Sequence, residues 1–332
     1  MIEPFKVAGK LVQAGESRTI DVPMARLYTH TEITMPVVVI HGKKNGPRLF
    51  ICASIHGDEI NGVEIIRRVL ENVSTKQLSG TLLAVPIVNV FGFITHSRYL
   101  PDRRDLNRSF PGSLTGSLAA RLAHLFMREI VLQCNYGIDL HTAASPRTNL
   151  PQIRTTPGDE EMLRIADAFA APVTVLAKAP GGSLRREAIK RGVKVLLYEA
   201  GESAHFNSTA IETGFNGILR VMHHLGMVKG IRTRGRHDPL HSSRSAWIRA
   251  RQSGILHLKV QPGDWIQKGQ QLGIISDPLG EEIKMIKAPW RGLVIGQIKE
   301  PLVYRGDAVL HLASIDESAQ KRTLDTQQNA PT

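Results

Sequence analysis

The chain predicts an α/β fold, a mainly parallel or mixed sheet covered by helices on both faces, followed by a small all-β domain. Three observations lead there. Short apolar runs alternate with stretches of helical period through residues 37–225. The runs read as strands buried on both faces, as parallel sheets require. After Arg244 the helical period stops, and short β patterns broken by glycine take over.

In chain order, the first thirty-five residues read as a β-rich lead-in. Residues 37–41 and 48–54 flank KKNGP, whose Asn-Gly favours a tight hairpin-like reversal. A helix is expected over 61–73, where Val63, Ile66, Val69 and Leu70 recur at three and four, and a strand over 81–89. Residues 117–132 are amphipathic, and 136–141 form the next strand. Helix over 160–169, strand over 173–177, helix over 183–191 and a buried strand over 193–198 follow. A helix over 209–225 closes the block. The expected organisation is a large α/β domain with a β-rich lead-in over 1–228, a basic unstructured linker over 229–243, an all-β domain over 244–316 and a disordered polar tail over 317–332.

Composition narrows the function. The 332 residues are 42% hydrophobic, enough for a sizeable core. The formal charge of +12 raises nucleic acid as a partner, but aromatic residues are only 5% and no nucleic-acid signature is present. Solvated surface charge is the first reading and small anionic substrates the second. Two cysteines, Cys52 and Cys134, argue against a disulfide framework. No signal-peptide core and no apolar stretch of about 20 residues is found, so a cytoplasmic, soluble protein is expected, with no membrane partner.

The chemistry centres on LFICASIHGDEIN, residues 49–61. An apolar run hands over to a helix, and His56 and Glu59 sit at the handover, spaced to converge on one point. Alone, HGDE reads first as a solvated turn in which Gly57 bends and an acid caps the helix. A third group reverses that: YGIDLHT at 136–142 ends a second strand in His141, and such strand ends line the functional crevice of open α/β sheets. Two histidines and a glutamate leave a fourth position for water, the pattern of catalytic zinc. Glu199 ends another apolar run, badly placed for a core and well placed for proton transfer in the crevice. The basic segment 96–112 holds Arg98, Arg103, Arg104, Asn107 and Arg108, whose guanidinium forks suit carboxylates.

Taken together, HGDE at 56–59, DLNRSFPG at 105–112, DLHT at 139–142, RTNLPQIR at 147–154 and YEAGE at 198–202 resemble the succinylglutamate desuccinylase/aspartoacylase family of the zinc carboxypeptidase-like group. The resemblance implies one Zn2+ per chain on His56, Glu59 and His141, with Glu199 as general base and then acid. It also implies that Asn107 and Arg108 hold a substrate carboxylate. An arginine upstream of DLNR would polarise the scissile carbonyl, Arg98 ahead of Arg104. Arg185, or its neighbour Arg186, would lie on the substrate side, with Arg154 and Tyr304 as further candidates. The implied activity is hydrolysis of a small-molecule N-acyl amino acid or similar carboxylate-bearing amide. The alternatives are a zinc carboxypeptidase acting on a peptide end and a non-catalytic binding protein on the same fold.

The C-terminal strings PGDWIQKGQQLG and APWRGLV resemble the barrel-sandwich fold of biotinyl and lipoyl carriers. The carrier lysine would stand at a hairpin tip, expected at 278–281. Lys284 falls beyond it, within a strand, so no attached cofactor is expected there. The β domain is expected to pack beside the crevice and restrict substrate size.

Overall fold

The computed structural model describes residues 2–230, 233, 238–281 and 283–315. At its centre four parallel strands run in the order Ser79–Val85, Lys44–Ala53, Tyr136–Ala143 and Lys194–Glu202. Successive side chains feed two separate cores: Leu49, Ile51 and Ala53 pack into one, Phe50 and Cys52 into the other. That division is why these runs are apolar without alternation. Helices Asn61–Asn72, Glu160–Phe169 and Ser208–His224 cover the first core, burying Ile65, Ile66, Ile165, Phe169 and Ile218. Helices Leu118–Glu129 and Leu184–Ile189 cover the second with Leu122, Phe126 and Ala188. Close packing leaves no room at Gly137, where a Cβ would lie 2.2 Å from the Phe50 ring.

Helix starts follow the local chemistry. Ser117, Asp159, Ser183 and Asn207 each accept a hydrogen bond from the backbone N–H three residues on. Helix 160–169 matches the sequence expectation, and the other long helices begin within one residue of it.

Several expectations change. KKNGP is not a hairpin turn. Asn45 and Gly46 lie inside strand Lys44–Ala53, and Ser79–Val85 inserts between that strand and Glu32–His41. Gly46 is there for close backbone approach, since a Cβ on it would lie 2.8 Å from Gly80 N. The strand expected over 81–89 ends at Val85, and Asn89 instead caps a short helix, Val90–Ile94. A strand not expected at all, Arg147–Thr155, lies antiparallel to Lys194–Glu202. Pro151 hides it from a sequence reading, and the register slips between Glu199 and Gly201 opposite it.

The expected basic linker is not wholly unstructured, because Leu240–Ser242 adds a strand parallel to Val173–Leu176. The tail 317–332 lies outside the described residues. Strands Ser245–Arg249, Gly292–Ile298 and Ala308–Ala313 continue the large sheet, with Gly292–Ile298 pairing to Arg147–Thr155. Gly254–Leu258, Gln271–Ser276, Ile283–Lys287 and Leu302–Val303 form an antiparallel sheet of their own. Lys284 stands inside Ile283–Lys287, opposite Ile275. Among the described residues no helix is long and apolar enough to cross a membrane.

Candidate active site

At the carboxyl ends of the parallel strands, Ser54 takes a left-handed conformation (φ 51°) and turns the chain out of its strand. Its hydroxyl donates to Glu59 O at 3.2 Å, closing the loop that carries His56. A Cβ on Gly57 would lie 1.9 Å from Gly92 C, so the loop packs backbone to backbone against residue 92. His141 lies near the carboxyl end of the neighbouring strand, Tyr136–Ala143, and Glu199, one strand further, is its direct register partner.

His56, Glu59 and His141 are buried with ligand atoms within 4.8 Å of one another. Glu59 bridges the rings: Oε1 lies 2.8 Å from His56 Nδ1 and Oε2 2.8 Å from His141 Nδ1. Thr142 N–H also donates to Oε2 at 3.1 Å. Burial alone would raise the Glu59 carboxyl, but the charges of the two imidazoles outweigh it and hold it well below the usual range. Behind the rings stand two more carboxylates. Asp105 Oδ1 lies 3.1 Å from His56 Nε2. Asp139 Oδ2 lies 3.0 Å from His141 Nε2, a close contact rather than an aligned hydrogen bond. Burial would raise Asp105 too, yet His56 and Arg98 pull it down.

These residues fit a divalent cation. Two imidazoles and a carboxylate converge, and carboxylates back both far ring nitrogens.

The cluster opens into a cavity of about 300 Å³ lined by nine of the expected site residues: His56, Glu59, Arg98, Asn107, Arg108, His141, Arg154, Arg185 and Glu199. Arg98 reaches Asp105 Oδ2 at 2.9 Å and Glu59 Oε1 at 3.3 Å. Arg104 is exposed beside Asp102 and does not line the cavity. Asn107 Oδ1 accepts from Leu184 N at 2.9 Å, which ties this turn to a helix start and leaves the amide NH2 for a ligand. Arg108 Nη1 donates to Asn107 O. Arg185 is 3% exposed; its Nη2 donates to Ala177 O at 3.0 Å, while Nη1 has no hydrogen-bond partner among the described residues. Burial first, then the charge of Arg154, lowers its guanidinium to about 10. Arg186 is exposed, and Tyr304, 78% exposed, lies away from the cavity.

Sequence reasoning missed Arg147, Asn149, Lys178 and Trp247 on the same wall. Asn149 Nδ2 donates to Glu199 Oε2 at 2.9 Å, and Arg154 Nη1 lies 3.8 Å from Oε1. Trp247, from the C-terminal strands, stacks on His311 at 4.7 Å with Arg147 over its ring at 5.2 Å. An N-x-x-x-x-R spacing in RTNLPQIR was the available signal for the Asn149–Arg154 pair, had the segment been recognised as a strand bent by a bulge.

A mixed α/β sheet whose strand ends carry a His-Glu-His cluster in an arginine-rimmed cavity defines a class of protein with a candidate metal site at the crevice of its sheet. Residues 45–225, over half of the chain, match the succinylglutamate desuccinylase/aspartoacylase catalytic domain, and the chain belongs to that family of deacylases. It is 24% identical over 299 residues to the N-alpha-acetyl-L-2,4-diaminobutyric acid deacetylase of Halomonas elongata, covering 86% of this chain and 87% of the relative. It is 29% identical over 150 residues to the succinylglutamate desuccinylase of Serratia proteamaculans, covering 40% and 44%. A crystal structure of succinylglutamate desuccinylase/aspartoacylase from Rhodobacter sphaeroides superposes with a TM-score of 0.82 at 24% identity, covering 92% of this chain and 97% of that one. The product-bound ectoine utilization protein EutE of Ruegeria pomeroyi gives 0.82 at 22% identity, covering 94% and 99%.

Proposed function

We propose that this chain is a zinc-dependent amidohydrolase that removes the acyl group from an N-acyl amino acid or similar carboxylate-bearing amide. The observation that carries the reading is the register pairing of Glu199 with His141, inside one cavity that also holds His56, Glu59 and the arginines. His56, Glu59 and His141 would hold one zinc, which when bound supplies Lewis acidity toward the acyl carbonyl and lowers the pKa of a water. Glu199 takes the proton from the attacking water and returns it to the departing amine nitrogen. Arg98, beside the ligand cluster, donates to the carbonyl oxygen as it gains charge, a contribution of roughly 3–4 kcal/mol for donors of this kind. Arg185 and Arg154 attract the substrate carboxylate, together with Asn107 and Arg108, which line the same cavity.

The test is amine release from N-acetyl-L-aspartate, N-succinyl-L-glutamate, Nα-acetyl-L-2,4-diaminobutyrate and short peptides, with and without chelator. Chelator-sensitive cleavage of an acyl amino acid is expected. Cleavage of peptides alone supports the carboxypeptidase reading, and no cleavage by a zinc-loaded protein supports a binding role.

A further inference from the structure

We propose that Asn149 is a positioning residue for Glu199, and that Gly296, on a strand of the C-terminal β region, holds Asn149 in that role. The proposal rests on the reading of Glu199 as the group that moves the proton.

Among the described residues, Asn149 makes the one hydrogen bond to the Glu199 carboxylate, Nδ2 to Oε2 at 2.9 Å. Arg154 Nη1, at 3.8 Å, adds charge without fixing direction. A glutamate has three side-chain torsions, so one short bond from a rigid strand decides where its free oxygen points. The amide orientation follows from its partner: a carboxylate only accepts, so the NH2 faces Glu199. Asn149 Oδ1 is then turned the other way, buried, and accepts no hydrogen bond among the described residues.

That orphaned oxygen packs against Gly296. Strand Arg147–Thr155 lies between Lys194–Glu202 and Gly292–Ile298, and Asn149 is the register partner of Gly201 on one side and Gly296 on the other. A Cβ on Gly296 would lie 2.6 Å from Asn149 Oδ1, 3.2 Å from Thr148 O and 3.5 Å from His311 Cβ. Asn149 is 7% exposed and its side chain is short, so its amide has no room to retreat without turning Nδ2 off Glu199. The C-terminal strands therefore do more than flank the cavity: they set the orientation of the proton-transfer group from behind.

The experiment measures kcat, KM, zinc content and melting temperature on the best-cleaved of the three acyl amino acids above. The variants are Asn149→Ala, Asn149→Asp, Gly296→Ala and the double variant Asn149→Ala/Gly296→Ala, with Glu199→Gln as reference. Asn149→Ala is expected to lower kcat by about ten- to hundredfold, with KM and zinc near wild type. Asn149→Asp keeps the volume and loses the donor, so it should lose at least as much. Gly296→Ala should lower kcat severalfold in the wild-type background and add little to Asn149→Ala, because the group it displaces is already gone. Wild-type kcat in Asn149→Asp, with Glu199→Gln inactive, overturns the positioning role. An equal loss from Gly296→Ala in both backgrounds overturns the link to the C-terminal strand, as does an unchanged rate in the wild-type background. If Gly296→Ala does not fold, Asn149→Asp still decides the role of Asn149. A fully active, zinc-loaded Glu199→Gln would instead sink the reading of Glu199 on which the inference stands.

Discussion

The two ends of the cavity solve opposite electrostatic problems. At the inner end every charge meets its opposite: Glu59 lies between two imidazoles, and Asp105 between His56 and Arg98. At the outer end the cations exceed their partners. Burial and then the charge of Arg154 lower the Arg185 guanidinium, Arg185 Nη1 and Arg154 Nε have no hydrogen bond among the described residues, and Glu199 is the carboxylate beside Arg154. A buried guanidinium with unmet donors costs several kcal/mol unless something anionic arrives. An end rich in convergent carboxylate and imidazole ligands suits a cation, and an end with surplus guanidinium suits a carboxylate. Glu199 lines the same cavity, where the proposed mechanism passes a proton from water to the departing amine.

The comparison breaks most easily at Glu199. Glu199→Gln keeps shape and should leave zinc content unchanged while lowering kcat by about two to four orders of magnitude in steady-state assays. A defect of that variant repaired by added zinc would make Glu199 part of the metal end instead.

At the outer end, Arg185→Met should raise KM for the carboxylate substrate by roughly thirtyfold or more, with zinc retained. The same change removes an under-partnered buried cation, so thermal unfolding should show equal or greater stability. A variant that loses stability and zinc together would show that Arg185 belongs to the scaffold. At the inner end, Asp105→Asn should weaken zinc binding by about ten- to hundredfold in a chelator competition and leave KM nearly unaltered.

The smallest effect comes from behind the outer wall. Burial, helped by the charge of Arg154, pushes the His311 imidazole down to about 3 from an ordinary value near 6.5. A folded-state value below the unfolded one means that the unfolded chain takes up the proton first. The stabilisation is therefore complete above pH 6.5 and lost as pH falls toward 3, at up to about 1.4 kcal/mol per pH unit. Urea midpoints for wild type and His311→Gln should converge between pH 7 and pH 5.5; parallel curves would remove His311 from the account.

What was legible in the sequence divides along the same line. His56 and Glu59 are three apart and His141 closes an apolar run, so local spacing and strand-end logic reach the inner end without a structure. Arg98 and Arg104 could not be separated, because a loop's pattern does not say which guanidinium turns inward. Asn149 and Trp247 were hidden for another reason. Their placement depends on a strand masked by Pro151 and on pairing between Asn149 and Gly296, long-range register that leaves no periodic trace. KKNGP misled for the mirror reason: a turn signal was read locally, while a strand from later in the chain took the place between its flanks.

The central claim, that the inner end is a metal site distinct from the rest of the cavity, is tested most directly by elemental analysis of dialysed wild-type protein and Glu59→Gln. About one zinc per chain is predicted for the wild type, and a large loss for Glu59→Gln with its circular dichroism unchanged. Wild-type protein that binds no zinc, or a Glu59→Gln variant that retains it in full, would contradict the account.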